Sequence, residues 1–248
     1  MKAMVLAAGL GTRLRPLTND RPKALVEIAG HPLLEITLRR LASFGIREVI
    51  INVHHFADMV SEYLERNNNL GLRVEISRED DLLLDTGGGL KQASWFFLQG
   101  AAAEEPFLLH NVDVISTIDF SKMLQFHRDH NALATLAVQR RQSSRQLLFD
   151  KDNRLCGKQM GNNDPEMVHP AQQTTALAFS GVHVISPKLL RMIAEQGVFS
   201  IITTYLRLAS EGQRIFAFRA DEFYWRDLGK PENLTQAEAD LKQGLLTL

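Results

Sequence analysis

The sequence predicts an α/β fold, a mostly parallel sheet flanked by helices with a smaller lobe formed by the later part of the chain. Two observations lead there. Up to Asp113, short apolar runs alternate with segments of helical spacing, the pattern of repeated βαβ units. The apolar runs also end in polar residues, so the loop after Leu6, the TGGG segment beginning at Thr86, and Asn111 to Asp113 fall on one rim, where ligands sit in such sheets.

The elements follow in order. KAMVLAA reads as a buried strand, and PLLEITLRRLASFG as a helix, with Leu33, Leu34, Leu38 and Leu41 at helical spacing, Pro32 near N1 and Gly45 at its close. REVIINV, LRVEIS and PFLLHNVDV are further strands, separated by helices in FADMVSEYLERN and KQASWFFLQ. Beyond them ALATLAVQR, RQLLFD and ALAFSGVHVIS are strand-like, and GNNDPEMVHPAQQ reads as an exposed loop. PKLLRMIAEQ and FSIITTYLRLA are helical, RIFAFR and EFYWRD are strands, and PENLTQAEADL is a closing helix with Pro231 near N1. No linker, repeat or low-complexity tract divides the chain, so residues 1–248 read as one domain whose regularity weakens after about residue 115.

Composition narrows the function. The chain has 248 residues, 45% of them hydrophobic, enough for a sizeable core. Its net charge of -1, with acids and bases interspersed, provides no basic field for nucleic acid or an anionic membrane, and neither is expected as a partner. Cys156 stands alone, which excludes an intrachain disulfide and a multi-cysteine zinc site and reads as packing in a reducing cytoplasm. The start of the chain lacks a signal-peptide layout, and no apolar run is long enough to cross a bilayer, so a soluble, cytoplasmic protein is expected.

A strand running into Gly9, Gly11 and Arg13 suits a polyanion, because glycines let backbone N–H groups approach phosphate oxygens. Two glycines alone fit a plain tight turn equally well. A Walker loop is excluded, since no Gly-Lys-Ser/Thr follows. A dinucleotide loop is disfavoured, since Leu14 stands at the third glycine and the second strand ends in Asn52, Val53, His54 and His55 with no acid. What remains is a glycine loop followed by Arg13, Arg15 and Lys23, cations that repel one another unless an anion such as a triphosphate lies among them. Asp113 and Asp227 each follow an apolar strand; singly each reads as a turn or cap, but together they offer hard oxygen ligands for Mg²⁺.

GLGTRLRPLTNDRPKAL resembles the signature of the sugar-1-phosphate nucleotidyltransferases, or nucleotide-sugar pyrophosphorylases, and the resemblance continues through DTGGGL, NVDV, FSGVHVIS and YWRDLGKPENL. It implies a Rossmann-like fold of the nucleotide-diphospho-sugar transferase type, with a nucleotide-binding part over about residues 1–115 and a sugar-phosphate-binding part over about 116–248. The reaction implied is attack by a sugar 1-phosphate on the α-phosphorus of a nucleoside triphosphate, releasing pyrophosphate.

The resemblance assigns catalysis to Arg13, Lys23, Asp113 and Asp227, the two aspartates as Mg²⁺ ligands. It assigns the nucleotide to Leu6, Ala8, Gly9, Gly11, Thr12, Arg13, Lys23, Gly88 and Gly89, with Gly87 to Gly89 lying as a flat loop against the base; from the residues alone the same segment reads as a helix-entry loop with Thr86 capping a helix that begins near Leu90, and both can hold. It assigns the sugar phosphate to Asn111, Arg145, Lys158, Ser180 and Gly181; Gly157 stands where the family has glutamate, a departure that points to a different or bulkier sugar. Within the family the chain, with no C-terminal hexapeptide repeat, is most similar to uridylyltransferases acting on N-acetylmuramate 1-phosphate in cell-wall recycling. It is nearly as similar to small guanylyltransferases of mannose or heptose 1-phosphate, so both UTP and GTP stay open as the nucleotide.

Overall fold

The computed structural model describes residues 1–100 and 104–246. In chain order the strands are β1 (Ala3–Leu6), β2 (Glu27–Ile28), β3 (His31–Pro32), β4 (Glu48–Val53), β5 (Arg73–Arg78), β6 (Phe107–Asn111) and β7 (Val114–Ser116). They continue as β8 (Ala134–Gln139), β9 (Arg145–Phe149), β10 (Leu155–Met160), β11 (Glu166–Met167), β12 (Thr175–Ile185), β13 (Ile215–Arg219) and β14 (Trp225–Asp227). The helices are α1 (Leu33–Ser43), α2 (Ala57–Arg66), α3 (Asp85–Gln92), α4 (Phe120–Asp129), α5 (Ile201–Ser210) and α6 (Pro231–Lys242). Among these residues no helix is long and apolar enough to cross a membrane.

Ten strands form one sheet, β11-β10-β9-β12-β6-β1-β4-β5, with β8 on β12 and β13 on β8. β6, β1, β4 and β5 are all parallel, as crossover helices require, and β13 is parallel to β8. β12 runs antiparallel to β6, β8 and β9. The strands are apolar on both faces because both are covered. On β1, Ala3 and Val5 pack with α1, α2, α4 and α6, while Met4 packs on the opposite side with α3 and α5.

Several elements differ from the sequence reading. The third helix begins at Asp85 and gives way to a 3-10 turn over Ala93–Phe96, so the three glycines lie inside the helix. PKLLRMIAEQ forms only a 3-10 helix, Pro187–Met192, whose Leu189 and Leu190 are buried together with Ile193 just beyond it. The exposed loop after β10 contributes the two-residue strand β11. Helix α4 escaped the sequence reading although Asp119 caps it, accepting from the Ser121 and Lys122 N–H groups, and Phe120, Met123 and His127 share one buried face.

Three histidines are buried: His110 on β6, His127 on α4 and His183 on β12, whose Nδ1 lies 2.8 Å from the Tyr205 hydroxyl. Desolvation depresses their pKa values to about 4, about 4 and about 3 respectively, so all three are neutral at physiological pH. The unfolded chain takes up these protons below about pH 6.5 while the folded chain does not, so stability falls on acidification from about pH 7 towards 4. Thermal unfolding should therefore show Tm dropping by several degrees between about pH 7 and about pH 5, above the range where carboxylates titrate, with a shallower drop in His183→Gln. A flat profile would contradict neutral burial.

Candidate active site

β1 stops at Leu6 because the next N–H leaves the sheet: Ala7 donates to Asn52 Oδ1 at 2.8 Å. Asn52, on β4, donates in turn to Glu79 Oε1 at 2.7 Å, and Glu79 Oε2 accepts from the Leu84 N–H at 2.8 Å. Asn52 and Glu79 are 3% and 2% exposed. This buried network joins the ends of β1, β4 and β5 to the start of α3. Sequence reasoning missed both residues, since a polar strand end followed by an acidic loop carries no local mark of burial.

After β1 the chain turns through Gly9 and Gly11. Gly9 is exposed, with open space where a side chain would begin. Gly11 has φ +64°, and its carbonyl accepts from Thr18 Oγ1 at 2.8 Å; a Cβ here would meet Thr18 Cγ2 at 2.9 Å. The 3-10 turn Thr12–Leu14 buries Leu14 and leaves Thr12 and Arg13 exposed. A second turn, Lys23–Leu25, delivers Lys23 to Asp113, where its Nζ pairs with Oδ2 while both side chains are at most 15% exposed.

Asp113 links β6 to β7, and β14 pairs antiparallel with β7 so that Asp227 lies opposite Val114. The Leu228 N–H donates to the Asp113 carbonyl at 2.7 Å. The two carboxylates, 114 residues apart in sequence, thus sit on neighbouring strands. Asp227 Oδ1 accepts from the Gly229 N–H at 2.8 Å, and Asn233 Nδ2 donates to its carbonyl. Arg13 joins them: the point where a Gly229 side chain would begin lies 2.5 Å from an Arg13 Nη and 2.8 Å from Asp227 Oδ1.

Beside Lys23 and Asp113 lies a cleft of about 400 Å³, lined also by Leu6, Ala8, Gly9, Asn52, Asn111 and Val112 and by Leu83, Asp85, Thr86 and Val198; Arg13 and Asp227 are not among its lining residues. Gly88 and Gly89 do not line it and do not form a flat loop. Both lie inside α3, where only glycine fits: a Cβ on Gly88 would come within 2.6 Å of the Gly197 carbonyl, and one on Gly89 within 2.5 Å of Glu79 Oε1. Thr86 does not cap its own helix; its Oγ1 accepts from the Ile201 N–H at 3.0 Å, at the start of α5.

The residues expected to meet the sugar phosphate divide into two groups. Asn111, Ser180 and Gly181 come together: Gly181 has φ +73° in a bulge of β12, and a Cβ there would touch Asn111 Nδ2 at 3.0 Å. Arg145 and Lys158 stand apart from the cleft lining, Arg145 exposed at the start of β9 and Lys158 on β10 bridged to Glu166 Oε2 at 3.0 Å. Gly157 is explained by packing, since a Cβ would lie 2.5 Å from the Glu166 carbonyl across β10 and β11.

Among the described residues no group of three or more His, Cys, Asp or Glu side chains could hold a metal. The donor set nevertheless fits a hard divalent cation, which needs only one or two protein carboxylates when phosphate oxygens and water complete its shell. Asp113 already carries an ammonium, and the neighbouring Asn111 Oδ1 is a buried oxygen with no hydrogen-bond partner.

Replacing Asn52 with Leu leaves the Ala7 N–H and the Glu79 carboxylate without partners in a closed space. Urea unfolding of Asn52→Leu is expected to show a loss of about 2–4 kcal/mol, and a loss below about 0.5 kcal/mol would deny the network its structural role.

The nucleotidyl transferase family model matches residues 2–148. The chain is 34% identical to the N-acetylmuramate alpha-1-phosphate uridylyltransferase of Caulobacter vibrioides, over 97% of each chain. It is 31% identical to the mannose-1-phosphate guanylyltransferase of Mycobacterium tuberculosis, over 98% of this chain and 65% of that one. Its fold matches the crystal structure of HddC from Yersinia pseudotuberculosis complexed with GMP-PN, with a TM-score of 0.75 and 23% identity over 97% and 99% of the two chains. With these relatives, the chain belongs to the nucleotidyl transferase family, among the sugar-1-phosphate nucleotidyltransferases.

Proposed function

We propose that the cleft joins UTP to N-acetylmuramate 1-phosphate, giving the UDP-sugar and pyrophosphate in the recovery of a cell-wall sugar. The observation that carries the reading is the convergence of Lys23, Asp113, Asp227 and Arg13 at the end of the glycine loop. The full-length likeness to the Caulobacter relative supports the choice of base and sugar. A phosphate oxygen of the acceptor attacks the α-phosphorus; the new P–O bond forms as the bond to the β-phosphate breaks, and pyrophosphate leaves with the bridging oxygen.

Such a transfer needs no covalent nucleophile, so the protein contributes position and charge. Leu6 and Ala8 offer backbone groups to the base, and Gly9, Gly11 and Thr12 let the chain approach the phosphates, with Gly88 and Gly89 supporting the base side through α3. Arg13 holds the departing pyrophosphate. Lys23 exchanges Asp113 for the α-phosphate and neutralises it. Asn111, Ser180 and Gly181 bound the acceptor, with Lys158 and Arg145 further out. Asp113 and Asp227 would hold Mg²⁺, which would supply positive charge to the phosphates.

A second reading, GTP with mannose 1-phosphate, is favoured by the Mycobacterium relative. Both are tested by pyrophosphate release from UTP, GTP, CTP and dTTP against muramyl, glucosyl, mannosyl and heptosyl 1-phosphates. The muramyl–UTP pair is expected to be fastest, and no release from any pair would overturn both readings. With the best pair, Asp113→Ala and Lys23→Ala should each lower kcat/KM by about 10³-fold; activity retained in Asp113→Ala would remove that residue from the chemistry.

A further inference from the structure

Six buried side-chain nitrogen or oxygen atoms have no hydrogen-bond partner among the described residues, and three of them, Asn111 Oδ1, Ser180 Oγ and Arg141 Nε, belong to one connected region. Asn111 lines the cleft and packs against Gly181. The preceding carbonyl, of Ser180, accepts from Trp225 Nε1 at 2.7 Å, and Trp225 carries Arg141, whose guanidinium carbon lies 3.7 Å from the centre of the indole ring. Trp225 is two residues before Asp227.

Arg141 follows β8, and its Nη2 donates to the Phe179 carbonyl at 2.6 Å, the one acceptor found for it among the described residues. Stacking on the indole fixes the plane of the guanidinium, and one hydrogen bond fixes its rotation within that plane. Nε is out of solvent with nothing to donate to. A buried donor left unpaired is costly, and a planar cation held on an aromatic face is a fork for an oxyanion. Burial lowers the affinity of the guanidinium for its proton, and the charge of Asp227 opposes that effect, so the cation lies within the field of the site carboxylate. The cations suggested by sequence are less suited: Lys158 is bridged to Glu166 and Arg145 is exposed.

We propose that Arg141, held flat on Trp225, binds an oxyanion of the acceptor sugar phosphate beside Asp227. The anion is either the 1-phosphate itself or a carboxylate carried by the sugar, the chemistry at the guanidinium being the same. This rests on reading the cleft as that of a sugar-1-phosphate nucleotidyltransferase. A purely structural Arg141 would instead be a strut joining the end of β8 to β12 through Phe179.

The test compares wild type, Arg141→Gln, Arg141→Lys and Trp225→Phe with two acceptors, N-acetylmuramate 1-phosphate and N-acetylglucosamine 1-phosphate, which lacks the lactyl carboxylate. In Arg141→Gln the acceptor KM should rise about tenfold or more while the KM for the nucleoside triphosphate stays within about twofold. Arg141→Lys should recover only part of the loss, because an ammonium is no fork, and Trp225→Phe should fall between. A rise for both acceptors assigns the 1-phosphate, and a rise for the muramyl acceptor alone assigns the carboxylate. An unchanged acceptor KM with lowered Tm leaves Arg141 a strut and overturns the proposal. Calorimetric titration of both acceptors into wild type and Arg141→Gln separates this from failure of the transfer reaction. If wild type turns over nothing yet binds an acceptor that Arg141→Gln does not, the proposal stands; equal binding by both proteins, or none by wild type, overturns it.

Discussion

The site depends on one short antiparallel ladder. β7 and β14 are three residues each, lie outside the main sheet, and pair so that Asp227 and Asp113 share a corner closed by the Leu228 to Asp113 backbone hydrogen bond. Each carboxylate alone is an ordinary strand-end residue. Their pairing concentrates negative charge, and Lys23 and Arg13 are the cations that the turns after β1 bring beside it. Helix α6 holds the ladder from behind: Asn233 donates to the Asp227 carbonyl, and Asp240 takes the Arg226 guanidinium at 2.6 Å with the Tyr224 hydroxyl on the same carboxylate.

The opposite wall is built by a different rule. Around Asn52 and Glu79 the polar groups are buried and matched one to one, so the wall is stiff rather than charged outward. The glycines of α3 serve this wall. Without side chains, the helix approaches Glu79, Asn52 and the Gly197 carbonyl closely enough to set its first turn against the cleft. Asp85 enters that turn with φ +60°, its Oδ1 accepting from the Thr86 N–H, a conformation uncommon for a residue with a side chain.

Much of this was legible in the chain because it obeys local rules. The parallel half follows the alternation of apolar runs and helical spacing, and Gly9, Asn111 and Asp113 follow strand ends on the same rim, with Lys23 delivered there by a short turn. What was not legible needed knowledge of distant partners. The start of α3 was hidden because three consecutive glycines argue locally for a loop, and only the close approach of Glu79 and Gly197 makes them helical. Lys158 looked available until β11 supplied Glu166 across the strand. Arg141 carries no mark in the sequence, and only the return of the chain at Trp225 gives it a platform.

β12 ties the two parts of the sheet together. Over eleven residues it bonds to β6 and β8 at one end and to β9 at the other, with Gly181 and Ser180 in the bulge between. The parallel half of the sheet, reached through β6, and the later strands β8 and β9 are therefore joined by one strand, continuous apart from that bulge, and rotating one against the other would tear backbone hydrogen bonds from the middle of the sheet. Among the residues lining the cleft, Val198 lies outside this sheet and is 54% exposed. The wall of the cleft formed by Asn111, packed on Gly181 of β12, is thus set by the stiffness of a sheet, a gauge rather than a jaw.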